Sequence, residues 1–166
     1  MTSEADFTEA EWELLTDLPR LAAFGAMAAG DGDAISSTRE LWAGMMELAQ
    51  GARSRYPGNA LIQAVAQSET EDDEGADVSR AGWKPGAEPL GEAVIEEALE
   101  TAARVRAVLA ERAVEQEAAE YAAWVLGIAR AATEAARKGP FGLGGDRVTD
   151  REAAFVRDLQ TALAVS

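Results

Sequence analysis

The chain has 166 residues and a net charge of −15, from 30 acidic and 15 basic side chains, and contains neither cysteine nor histidine. Those absences exclude disulfides, thiol nucleophiles, thiolate zinc sites and imidazole chemistry, so any reaction would have to use carboxylates, hydroxyls, Arg, Lys or the backbone. The charge is uneven, −11 through Trp83 (sixteen acidic, five basic residues) and −4 beyond it (fourteen and ten), a field that disfavours nucleic acid and anionic membrane and favours cations and basic protein surfaces.

Thr8-Glu9-Ala10-Glu11 is a capping box, a Thr and a Glu three residues apart that can satisfy each other's orphan amides. It predicts a first helix to about Ala29, with Trp12, Leu15, Leu18, Leu21, Phe24 and Met27 or Ala28 along one buried stripe. Pro19 lies inside this run and predicts a kink or a split. After the Gly30-Asp31-Gly32-Asp33 turn, a second capping box at Ser37-Thr38-Arg39-Glu40 opens a helix through Leu41, Trp42, Met45, Leu48 and Ala49 to about Tyr56. Pro57-Gly58 ends it, and Asn59 caps a short third helix carrying Leu61, Ile62 and Val65.

Helical periodicity is lost from Ser68 to Pro89, where acidic residues crowd together, and this stretch reads as a solvated acidic loop or insertion whose Trp83 tucks back onto the helices. A fourth helix is expected from near Leu90 to about Glu111, with Gly91 as a weak point, and a fifth from about Val114 to Arg137. As one helix the two would extend roughly 70 Å at 1.5 Å per residue, too long for the domain, so a turn is predicted within Arg112 to Glu117. The Gly-rich run from Gly139 to Asp146 ends the fifth helix, and a third capping box, Thr149-Asp150-Arg151-Glu152, opens the last, through Phe155, Val156, Leu159 and Leu163.

These elements predict an all-α fold, a compact bundle of about six helices in a single domain over 1–166, with helical halves at 8–67 and 90–165 joined by the 68–89 loop. Much of the 48% apolar content is alanine, which suits close-packed helices, and no stretch alternates long enough for a strand. The start has no basic n-region or apolar h-region, and no apolar run approaches the roughly 20 residues of a membrane span, so a cytoplasmic location is expected. Arg outnumbers Lys thirteen to two, which together with the abundant Ala and Gly suggests a GC-rich bacterial source.

Two of the capping boxes follow Gly/Asp loops with a short aliphatic residue near the end, Ile35 in one and Val148 in the other, and each loop follows an Ala-rich helix. A duplicated helix-loop-helix is one reading of this; the common occurrence of capping boxes at helix starts is the other. The matching stretches, Gly30 to Glu40 and less closely Gly144 to Glu152, resemble the helical tellurite-resistance TerB-like group. The resemblance implies a helical bundle, acidic residues near the turn that bind a divalent cation, and a stress-associated role. The acidic insertion and the Gly-rich loop depart from that pattern.

Asp31, Asp33 and Glu40 are the best candidate ligands, because a Gly-flanked turn lets carboxylates converge and hard cations such as calcium or magnesium prefer oxygen. Asp146 and Glu152 occupy the second loop and box. With Ile35 in the hydrophobic slot the first and last ligand positions of an EF-hand would be Ala28 and Arg39, so the loop is not of that type, and a plain turn before a helix N-terminus remains the competing account. Glu92, Glu96 and Glu100 share a helix face but lack the histidines of di-metal bundles, so a solvated face is expected. Phe141 to Asp146 lacks the preceding strand and the Gly-Lys-Ser/Thr ending of a phosphate loop. The Met and Trp positions, including Met27, Met45, Met46, Trp12 and Trp124, read as core.

With no catalytic constellation in view, the leading expectation is a non-enzymatic helical interaction or scaffold protein whose partner is a basic protein or a second copy. A divalent-cation-binding stress protein is the alternative, and an enzyme working with carboxylates alone comes third.

Overall fold

The boxes at Thr8 and Thr149 both form in the computed structural model, which describes residues 1–30, 43–48, 50–72, 91–137 and 149–164. Thr8 Oγ1 accepts the Glu11 amide at 3.3 Å while Glu11 accepts the Thr8 amide at 2.7 Å, and Thr149 and Glu152 repeat the exchange at 3.1 and 2.7 Å. They open α1 (Glu9–Ala29) and α6 (Asp150–Ala162). Between them lie α2 (residues 43–48 and 50), α3 (Ala60–Asp72), α4 (Glu92–Arg112) and α5 (Glu115–Arg137). A short 3-10 turn, Glu4–Asp6, precedes α1, and α2 runs into a π turn, Gly51–Arg55. The fold is an all-helical bundle, and every regular element among the described residues is helical.

α1 is the central element. It packs most extensively against α4 and α5 and also meets α6 and α3. Trp12, Leu15 and Leu18 begin the expected stripe, but from Leu21 to Met27 every residue is buried. Three alanines and Gly25 within this stretch let neighbours close in on all sides: the Phe155 ring lies over Gly25 where a Cβ would clash. The stripe expectation fails there because the helix is surrounded rather than laid on a surface.

Pro19 neither splits nor ends α1, which runs unbroken through it. Proline has no N–H to give the carbonyl four residues earlier. That carbonyl, Leu15 O, instead accepts the buried Tyr121 hydroxyl of α5 at 2.6 Å.

α4 and α5 are separated at Ala113 and Val114, inside the predicted turn region, where Ala113 is extended (φ −94°, ψ 155°). Other boundaries differ from expectation. Helix α3 continues through residues 68–72, read from sequence as loop, since Glu carries adequate helix propensity without an apolar stripe. Gly91 is the N-cap of α4 rather than an interior residue. The second helix ends in a π turn, with the Tyr56 amide reaching Gly51 O at 3.3 Å.

One hydrophobic core draws on all six helices, including Leu48, Leu61, Ile62, Val105, Leu109, Tyr121, Trp124, Phe155 and Leu159. Trp124 is in it, Met27 is buried, Trp12 packs at its edge, and Met46 lies at the surface.

Candidate interaction surface

The starts of α1, α3 and α5 and the end of α4 meet at one end of the bundle, tied by side chains far apart in sequence. Thr2, 2% exposed, gives its amide to Glu117 Oε2 at 2.7 Å and accepts the Val114 amide on its hydroxyl at 3.1 Å. That hydroxyl stands in for the helical carbonyl that Val114 loses at the α4–α5 turn. Asn59 caps α3 by accepting the Ile62 amide at 3.0 Å, as its position predicts, and donates its side-chain amide to Glu117 O at 3.1 Å and Glu120 Oε2 at 2.8 Å. Arg112 closes the ring with Glu11 at 3.3 Å.

Asp6, Glu11, Glu117 and Glu120 are all held below the ordinary carboxylate range. For Asp6 and Glu11 the main cause is the backbone amide of the capping residue, Ser3 and Thr8 respectively. For Glu120 it is the Gln116 side chain, then Asn59. Burial pushes Glu117 upward, but the Thr2 hydroxyl and amide, the amino-terminal charge and the Ala60 backbone together outweigh it. These contacts favour the ionised form of all four carboxylates. Glu4, Glu9, Glu111 and Glu115 add exposed carboxylates. Val114, 47% exposed, places an apolar side chain among them, and Phe7 stacks against half-buried Trp12 with ring centroids 5.9 Å apart.

A second polar cluster sits at the π turn. Gln63 of α3 donates to the carbonyls of Ala52 and of Tyr56, the latter at 3.0 Å, tying α3 to the π turn and to the residue that follows it. The Glu47 carboxylate meets Arg55 at 2.5 and 3.3 Å and lies over two glycines, with Oε1 3.3 Å from where a Cβ on Gly51 would stand and 3.6 Å from the same point on Gly127. Beside it the Trp124 indole N–H is buried without a hydrogen-bond partner among the described residues.

Of the cation ligands expected from sequence, Asp31, Asp33, Glu40 and Asp146 lie outside the described residues, as does the second capping box. Glu152 is 3% exposed, with its carboxylate turned back onto the Thr149 amide. Among the described residues no three carboxylates converge as a metal site. Glu92, Glu96 and Glu100 are exposed, and Glu92 pairs with Arg151 at 2.5 Å. No helix among the described residues is long and apolar enough to cross a membrane.

Sequence reasoning missed Thr2, Glu117 and Gln63, whose partners no periodicity or motif connects. Comparison with protein-family profiles, with curated proteins and with solved structures returns no match, which leaves the chain's own residues to carry the functional reading.

Proposed function

We propose that the protein is a non-enzymatic helical interaction or scaffold protein that receives a basic protein partner at the end of the bundle around Val114. The observation that carries this reading is the grouping there of carboxylates held ionised around an exposed apolar side chain. The buried carboxylates Glu117 and Glu152 are committed to backbone amides, so charge available for recognition lies on the surface. Acidic groups flanking an apolar contact complement a lysine- or arginine-bearing segment and steer its approach. The same surface disfavours nucleic acid and suits a cytoplasmic protein.

The test uses a lysine-rich amphipathic peptide as probe, with binding read by calorimetry at low salt and at about 0.15 M salt, where charges are screened beyond about 8 Å. Binding should weaken as salt rises and should be lost when Glu4, Glu9 and Glu115 are each changed to Lys. The same charge change at Glu96, Glu97 and Glu100, also exposed but further along α4, should leave it largely intact. Equal loss in both variants would reduce the effect to net charge and overturn the reading. So would the absence of both peptide binding and self-association in the unaltered chain.

The second reading is the divalent-cation-binding stress protein of TerB-like type, supported by the paired Gly/Asp sequence motifs with Asp31, Asp33 and Glu40 in one and Asp146 and Glu152 in the other. A cation at 100 times its dissociation constant adds about 2.7 kcal/mol to stability. Thermal melts unchanged by calcium, magnesium or manganese would end it.

A further inference from the structure

We draw no further inference here: the strongest candidate, the buried and unpartnered Trp124 indole N–H facing the π turn of Gly51–Arg55, carries nothing because the protein's own Glu47 carboxylate, clamped by Arg55, lies against the gap left by Gly51 and Gly127 and nothing in the structure shows what else would enter it.

Discussion

Along one side of α5, Glu117 and Tyr121 lie toward the acidic end, and Trp124 and Gly127 face α2 and its π turn. Each of the first pair has a polar group that completes another element: Glu117 takes the Thr2 amide, and Tyr121 replaces the donor that Pro19 denies to Leu15. Trp124 packs edge-on against Tyr121, ring centroids 5.8 Å apart at 70°, yet its N–H has no hydrogen-bond partner among the described residues. Helix propensity cannot separate the two regions, since both belong to one continuous helix. They differ in what holds them: hydrogen bonds that repair interrupted backbone in the first, close packing against glycine in the second.

If packing alone fixes Trp124, removing its volume should have a larger effect than any substitution at Tyr121, Glu117 or Arg55. Trp124→Ala is expected to lower unfolding stability by about 3–5 kcal/mol, as for other large core aromatics, measured by urea denaturation. A loss within about 0.5 kcal/mol would place the indole among ordinary surface residues and break the comparison.

Tyr121→Phe removes a single oxygen and should still cost about 1–3 kcal/mol, because the Leu15 carbonyl is left buried and unbonded. The link to Pro19 makes this sharper. Pro19→Ala restores an N–H four residues after Leu15, so Tyr121→Phe should cost clearly less in that background. A double-mutant cycle with no coupling would mean that the hydroxyl is not compensating for the proline.

Much of this architecture was legible from local chemistry. The boxes at Thr8 and Thr149, the Asn59 cap, the end of α1 at Ala29 and the turn between α4 and α5 all follow from short-range patterns. Expectations failed where a partner comes from far along the chain. The expectation of a split at Pro19 could not include Tyr121, 106 residues from the carbonyl it repairs. Nothing in the run from Arg112 to Glu117 announces that Thr2 completes the turn. The candidate surface was foreshadowed as a negative field favouring a basic partner, but its position depends on those long-range ties.

At the acidic end the same comparison becomes a matter of pH. The folded-state pKa of Glu117 is lowered, so its stabilising contribution is present above the unfolded carboxylate value of about 4.3 and is lost as pH falls through the folded value. Glu117→Gln should cost about 1–2 kcal/mol near neutral pH through the weakened hydrogen bonds to Thr2. It should also flatten the fall in stability below about pH 4.3. Denaturation midpoints that fall equally steeply with acid in both proteins would show that the Thr2 contact does not hold the carboxylate ionised.

The smallest effect is expected at the π turn. Arg55 is 61% exposed on its side chain, and an ion pair this open is worth about 0–1 kcal/mol, so Arg55→Ala should barely move the denaturation midpoint. Its structural consequence should exceed its energetic one. Freed from the guanidinium, the Glu47 carboxylate has an unpartnered donor beside it, and burial favours satisfying that donor. The indole N–H resonance of Trp124, assigned by comparison with a Trp124→Phe variant, should therefore shift downfield in Arg55→Ala and return in Arg55→Ala combined with Glu47→Ala. An unmoved resonance would mean that the indole keeps its place through packing even when an acceptor is released next to it, which would widen the contrast with Tyr121.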